Sequence, residues 1–376
     1  MRELALAFLR LGFTAFGGPA AHIAMMEDEF VRRRQWLTRE EFLDLVGAAG
    51  LIPGPSSTEV AIYVGYRRAG WRGLLIAGLC FILPAASMVT GIAWAYVRFG
   101  HLPAAGGALY GIKAVIIAVI AQALVAFGRT AIKSRWLIVL GVAAAVANLL
   151  GVAPVAALVF AGAISALTRA LEKPLPKGQR GLLLPSVLGV SSSIATLPGL
   201  AKLFLIFLKL GAVVFGSGYV LLAFLRTDLV ERTDWATGVT ESQLIDAVAV
   251  GQFTPGPVFT TATFIGYLVL GLPGAVVATV GIFLPSFVLV ALSGPLIPRL
   301  RRSPVAGAFL DGINVASLAL MAVVGGQLAR AAIVDLPTAL LGGASAIALF
   351  RWRVNSAWLV LGGGVAGMVW EWLRVR

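Results

Sequence analysis

Long apolar runs separated by short basic or Gly/Pro-rich stretches make up this chain, and none shows the period-2 alternation of a half-buried strand. Runs of this length and pattern predict spanning helices. The first covers roughly 4–25 and is interrupted at Phe16-Gly17-Gly18-Pro19. A polar stretch from Glu27 to Glu41 follows, in which Thr38-Arg39-Glu40-Glu41 predicts a capping box opening a helix. That helix reaches Leu51-Ile52-Pro53-Gly54-Pro55-Ser56-Ser57. There proline removes an amide donor and clashes with a continuing helix, while glycine frees the turn. Two short helices meeting at a break are expected, the second ending near Tyr66. Further apolar segments cover roughly 71–97, 106–127, 136–150 and 152–167.

After a stretch carrying Lys173, Pro174, Pro176 and Lys177, the plan repeats at an offset near 200. Phe8-Leu9-Arg10-Leu11-Gly12 matches Phe207-Leu208-Lys209-Leu210-Gly211, and Phe16-Gly17-Gly18-Pro19 matches Phe215-Gly216-Ser217-Gly218. Trp36 falls on Trp235, Pro53-Gly54-Pro55 on Pro255-Gly256-Pro257, Gly65-Tyr66 on Gly266-Tyr267, and Leu83-Pro84 on Leu284-Pro285. Asp44 and Asp246 each stand nine residues before the first proline of their break. Thr240-Glu241-Ser242-Gln243 predicts a second capping box. The chain thus divides into a first transmembrane repeat at 1–168, a cytoplasmic linker with the start of the second half at 169–202, and a second repeat at 203–376.

Composition agrees with the pattern. Of 376 residues, 59% are hydrophobic and 12% charged, against about 25% charged in soluble domains. The expected class is an all-α polytopic membrane protein. Arg10 interrupts the first apolar run and no small-residue cleavage site follows, so that run reads as a retained helix rather than a signal. One cysteine, Cys80, excludes an internal disulfide, and two histidines, His22 and His101, leave a Cys/His metal cluster unsupported. No cofactor is expected, and no nucleophile–base pair suggests an enzyme. The formal charge of +13 becomes a question of sidedness. Basic residues flank both ends of the first broken segment, Arg32 to Arg39 before it and Arg67 to Arg72 after it. With basic loops inside, that segment enters and leaves on the cytoplasmic side as a re-entrant hairpin. An odd number of crossings then inverts the second half, whose matching loop carries Asp228, Glu231, Asp234 and Glu241 against Arg226 and Arg232. The same count puts Arg299, Arg301, Arg302, Arg351 and Arg353 inside. An inverted-topology repeat with one broken re-entrant helical hairpin per half is the predicted fold.

Paired broken helices in two halves point to a transporter's binding site. A helix starting inside the membrane presents unpaired amides and about half a positive charge, which suits an anion. Four such starts are expected, after Gly17-Gly18-Pro19, after Pro53-Gly54-Pro55 with Ser56 and Ser57, at Gly216-Ser217-Gly218, and after Pro255-Gly256-Pro257. The plainer reading is that these residues only kink helices or permit close packing. Arg10 and Lys209 are matched cations within apolar segments, suited to the anion or to snorkelling. Glu59 either caps its half-helix or carries a coupling proton, as a buried carboxyl can take up and release one. Asp44 and His22 are further proton-coupling candidates, the acid also explained by the helix dipole and the histidine by ordinary polar packing. Asp311 could pair with Lys113 or Arg10.

At these motifs the sequence resembles the chromate ion transporter family, in its long fused two-domain form. The resembling residues are Phe16-Gly17-Gly18-Pro19 through His22, Glu29-Phe30-Val31 with Trp36-Leu37, Pro53-Gly54-Pro55-Ser56-Ser57 and Leu83-Pro84. Phe215-Gly216-Ser217-Gly218, Pro255-Gly256-Pro257 and Leu284-Pro285 extend it through the second half. The resemblance implies a multi-pass inner-membrane protein exporting chromate, with sulfate as a second tetrahedral dianion, driven by an ion gradient. Half two departs at Gly216-Ser217-Gly218 and at Val258-Phe259, where half one has Gly17-Gly18-Pro19 and Ser56-Ser57. A passive anion channel is the alternative, since it would use the same helix ends. The expected partners are the oxyanion, a coupling proton and the bilayer, without nucleic acid. Oligomeric state stays open, a homodimer being one arrangement.

Overall fold

Helices form where the apolar runs predict them. A computed structural model describes residues 1–16, 18–100, 103–172, 199–214, 221–231, 238–293, 303–352 and 354–375, and every described element is helical. Several residues of the sequence argument lie outside that set: Gly17, His101, Lys173 to Lys177, Phe215-Gly216-Ser217-Gly218, Arg232, Asp234, Trp235, Arg299, Arg301, Arg302 and Arg353.

In the first half α1 is Arg2–Thr14 and α2 is Gly18–Glu27, running into a wider π turn at Asp28–Arg33. The expected capping box opens α3, Arg39–Ala49: the Glu41 amide donates to Thr38 Oγ1 at 3.1 Å and the Thr38 amide donates to Glu41 Oε2 at 2.9 Å. After the Pro-Gly-Pro break α4, Ser56–Phe99, begins as a short helix, reverses at Ala69–Gly70 and continues to Phe99. Gly70 takes φ +57°, which a side chain would strain. The reversal brings Gly65 against Gly73 so closely that a Cβ on either would enter the other's carbonyl. Helices α5 (Pro103–Ala131), α6 (Arg135–Leu149) and α7 (Pro154–Glu172) complete the half.

The second half follows the same order. α8 is Gly199–Val213, α9 is Leu221–Leu225 with a π turn at Arg226–Glu231, and α10 is Glu241–Phe253, again opened by a capping box, from Thr240 and Gln243. One 3-10 turn at Val258–Thr260 leads into α11, Thr261–Ser293, which reverses at Leu270–Gly271. Gly266 and Gly274 meet there as Gly65 and Gly73 do. α12 (Pro304–Ala332), α13 (Leu336–Arg351) and α14 (Ser356–Val375) follow. At the expected linker, α7 continues through Glu172, past 168, and α8 begins at Gly199, before 203.

The two halves interlock. α1 lies on α4 and α8 on α11, while α4 and α11 pack on each other. α5 packs against α13 and α14 of the second half, and its counterpart α12 packs against α6 and α7 of the first. Small residues permit the closest crossings: Gly107 and Gly111 lie against Gly367 and Gly363, and Gly312 lies against the Ala161 carbonyl. Among the described residues, five helical segments are long and apolar enough to cross a bilayer: Ser56–Phe99, Ala105–Ala131, Pro154–Glu172, Val258–Ser293 and Pro304–Ala332. Leu75, Leu79, Leu83, Val276, Val280 and Leu284 are exposed along two of them, the outward apolar surface that a lipid-facing helix presents.

Candidate functional site

Each break is tied to the opposite half. In the first, α3 ends near Gly50 and the chain turns through Gly54 at φ +135° before α4 starts at Ser56. The Gly54 amide donates to the Val214 carbonyl, at the end of α8, at 2.8 Å. In the second, Gly256 takes φ +89° and its amide donates to the Ala15 carbonyl, at the end of α1, also at 2.8 Å. A Cβ on Gly54 would collide with Glu59 Oε1 and Ser286 Oγ, and one on Gly256 with Ala85 Cβ at 2.6 Å. Ser286 and Ala85 follow the matched prolines Pro285 and Pro84. The two contacts are therefore reciprocal between matched positions of the two halves. Both glycines do more than kink a helix, because neither tolerates a side chain and each spends its amide across the interface.

The two breaks differ in their polar surroundings. Around the first, Ser57, Thr58, Glu59 and Ser286 are buried, and His22 Nδ1 lies 3.2 Å from Ser57 Oγ. The His22 ring meets Phe81 edge-on, 5.8 Å between centroids. Thr58 Oγ1 has no hydrogen-bond partner among the described residues, and Glu59 and Ser286 converge beneath Gly54 without a well-formed bond to each other or to any other described group. Pro55 stands at the N-cap without a side-chain bond, and Glu59 reaches no amide. The capping-box role expected for Glu59 is thus not made. At the second break Thr260 and Thr261 turn their hydroxyls onto their own backbone, at Pro257 and Val258, and Phe259 is buried.

The remaining candidates are dispersed. Gly18 opens α2 at φ +80°, with Pro19 in its first turn. Pro55, Pro255 and Pro257 are buried and Pro53 and Ser56 partly so. Gly12 and Gly211 face α4 and α11, against Pro84 and Pro285. Arg10 and Lys209 lie two residues earlier, and 100° of helix per residue turns them to the far side of α1 and α8. Arg10 is exposed and makes no ion pair among the described residues, whereas Lys209 Nζ bonds Asp228 Oδ1 at 2.8 Å. The matched acids also separate. Asp44 is exposed, but Asp246 is 1% exposed, 3.3 Å from Lys113 Nζ, and accepts from the Tyr96 hydroxyl at 2.8 Å. Asp311 pairs with Lys133 at 2.6 Å rather than with Lys113 or Arg10. Local sequence did not mark the Asp246–Lys113–Tyr96 cluster or Ser286, since their partners come from distant helices.

A cluster of charged and aromatic side chains gathers around Trp36, ahead of α3. Trp36 stacks on Phe30, and the guanidinium groups of Arg34 and Arg68 each lie 5.2 Å from its ring. Arg34 bonds Glu29 and Glu3, Glu29 foremost, which raises its pKa further above the ordinary arginine value. Glu41 bonds the Thr38 amide and Arg67, and these hold its carboxyl below the usual range. A cavity of about 210 Å³ opens here, lined by Trp36, Leu37, Glu41, Val64, Arg67 and Arg68.

Comparison with known proteins places these features in context. The sequence model described as chromate transporter matches residues 2–166 and 201–368. The chromate transport protein of Cupriavidus metallidurans is 35% identical over 98% of this chain and 93% of its own length. A probable chromate transport protein of Synechococcus elongatus is 33% identical over 91% of this chain and 88% of its own. The chromate transport protein of Pseudomonas aeruginosa is 30% identical over 97% and 91%. No solved structure matches.

Proposed function

Because this chain belongs to the chromate transporter family, we propose that it is a secondary transporter exporting chromate across the inner membrane, with the oxyanion held at the midplane where the two breaks meet. The observation that carries this reading is the reciprocal pair of bonds, Gly54 to Val214 and Gly256 to Ala15. They tie each helix break to the opposite half, and in this proposal the helix ends beside the two breaks face a shared volume. Rocking of one half against the other about that interface would expose the site alternately to each side. In this proposal the halves are inverted copies, the broken segments are re-entrant, and the basic loops around Arg32 to Arg39 and Arg67 to Arg72 face the cytoplasm.

The dianion is held by the amide-bearing starts of α2 at Gly18-Pro19 and of α4 at Ser56-Ser57, with the Gly-Pro turns Pro53-Gly54-Pro55 and Pro255-Gly256-Pro257 shaping the cage. Gly17 and Gly216-Ser217-Gly218 are assigned to substrate binding on their sequence alone. Arg10 and Lys209 supply cations: both start on the sides of α1 and α8 turned away from α4 and α11, so each must swing toward the breaks, and Lys209 must also exchange Asp228 for the anion. Sulfate has the same charge and shape, so the cage admits it too. Glu59 carries the coupling proton: an ionised carboxylate without a partner is costly in a buried site, and loss of its proton favours the conformation that rehydrates it. Asp44 and His22 are secondary proton candidates, His22 through its contact with Ser57.

The test is radiolabelled chromate uptake into liposomes under an imposed pH gradient. Uphill accumulation that collapses when the gradient is dissipated is expected, with Glu59→Gln transporting downhill only. Flux that only ever follows the chromate gradient, unchanged by Glu59→Gln, would make the protein a passive channel.

A further inference from the structure

We propose that Tyr63, Ser286 and Ser293 form a proton path with Glu59, running along one of the two equivalent interfaces between the halves to the cavity beside Arg67. The proposal rests on the reading that Glu59 carries the coupling proton. Glu59, Tyr63 and Arg67 recur at four-residue spacing and so share one face of the first helix of α4. Ser286 and Ser293, seven residues apart, share a face of α11 in the same way. The two faces meet at both ends: Glu59 and Ser286 converge beneath Gly54, and the Tyr63 hydroxyl lies 2.5 Å from Ser293 Oγ. Glu59 and Ser286 are 0% exposed, Tyr63 3% and Ser293 7%, whereas Arg67, one turn further, is exposed and lines the cavity with Glu41. Groups with exchangeable protons, Glu59, Ser286, Tyr63 and Ser293, thus follow one another along this interface, and Tyr63 lies one helical turn from the exposed Arg67.

The second interface serves as an internal control. In the register that pairs Gly65 with Gly266 and Pro84 with Pro285, Glu59 falls on Thr260 and Tyr63 on Phe264. Ser286 and Ser293 fall on Ala85 and Ile92. Thr260 spends its hydroxyl on Pro257, Phe264 packs edge-on against Tyr96, and Ala85 is buried beneath Gly256. The same crossing of helices is therefore built once with Thr260, Phe264, Ala85 and Ile92 and once with Glu59, Tyr63, Ser286 and Ser293. Packing does not demand the polar set, and buried polar groups without full partners oppose folding. Proton movement gives them a purpose.

Transfer proceeds by exchange along hydroxyls. The Glu59 carboxyl swings along its helical turn and gives its proton to the Tyr63 oxygen as the Tyr63 O–H proton passes outward to Ser293, whose own proton leaves the Val290 carbonyl for water on the way to the cavity. Each O–H bond broken is matched by one formed, and Glu59 is left as the carboxylate. Ser286 receives the carboxyl in its inward position. The titratable and charged groups around the path are His22 on α2, through Ser57, and Glu41, Arg67 and Arg68 at the mouth, while α8 and α11 face it with the Val214 carbonyl, Ser286 and Ser293.

The experiment compares wild type, Tyr63→Phe and Ser293→Ala in liposomes, reading net chromate flux driven by a pH gradient, proton flux by an internal dye, and chromate–chromate exchange at equal pH. Phenylalanine already occupies the equivalent position 264, so Tyr63→Phe should fold. Net flux in Tyr63→Phe should fall tenfold or more, and in Ser293→Ala several-fold, with exchange within twofold of wild type. Net flux unchanged in Tyr63→Phe, or flux and exchange falling together, overturns the path while proton coupling stands. Wild-type chromate flux with no accompanying protons overturns both the path and the coupling it rests on.

Discussion

Gly256→Ala tests the interlocked breaks most directly. Gly256 sits at φ +89°, and a Cβ there would lie 2.6 Å from Ala85 Cβ and 3.2 Å from the Gly12 carbonyl oxygen, where carbon atoms prefer about 3.5–4.0 Å. The left-handed backbone costs alanine about 1–2 kcal/mol, and overpacking a filled site adds about 1–3 kcal/mol. The single variant should therefore lose about 2–5 kcal/mol, the sum of those two terms. Ala85→Gly alone removes the colliding methyl and costs about 0.5–1 kcal/mol as a glycine within a helix. Combined, the two changes leave only the backbone and glycine penalties, so the pair should cost about 1–3 kcal/mol less than the sum of its parts. Denaturant unfolding in detergent measures stability, and chromate flux in liposomes shows whether the interface still functions. Strict additivity within about 0.5 kcal/mol, the range seen for independent sites, would mean that Gly256 does not lie against Ala85.

Other expectations follow from single contacts. Arg10→Ala should raise the chromate concentration for half-maximal flux more than tenfold, and Lys209→Ala should do so less, because Asp228 already neutralises Lys209; unchanged flux in both would remove these cations from the site. Lys113→Met leaves Asp246 buried with Tyr96 alone and should cost about 3–5 kcal/mol of stability, much of it recovered by Lys113→Met with Asp246→Asn; an unfolding midpoint equal to wild type in the single variant contradicts the buried pair. Glu41 has a lowered pKa, so its contribution at the start of α3 is complete above the ordinary carboxylate value and is lost as pH falls through the lowered one. The protection factors of the amides in the first turn of α3, taken against the intrinsic exchange rate at each pH, should therefore fall in acid, and Glu41→Gln should abolish that fall; a fall that persists in Glu41→Gln assigns it to another group.

Much of this architecture could be read along the chain because it rests on local rules repeated in two copies. Apolar runs, Thr38 and Thr240 as caps, and Pro-Gly-Pro breaks declare themselves over a few residues, and the offset near 200 declares the duplication. Family membership was legible for the same reason. The reversal at Gly70 was legible, marked by Arg67, Arg68 and Arg72, whereas the one at Gly271 was hidden because uncharged, largely apolar sequence runs straight through it. Tertiary structure alone decided how the copies treat their matched residues. Arg10 and Lys209 share a motif, yet one is exposed and the other paired; Asp44 and Asp246 share a spacing, yet one is exposed and the other buried on Lys113. Ser286 beside Glu59 and Ser293 beside Tyr63 are separated by more than two hundred residues. A side chain's partners across an interface depend on how two folded halves dock, and that docking is an energy summed over distant surfaces, which no short stretch of sequence encodes.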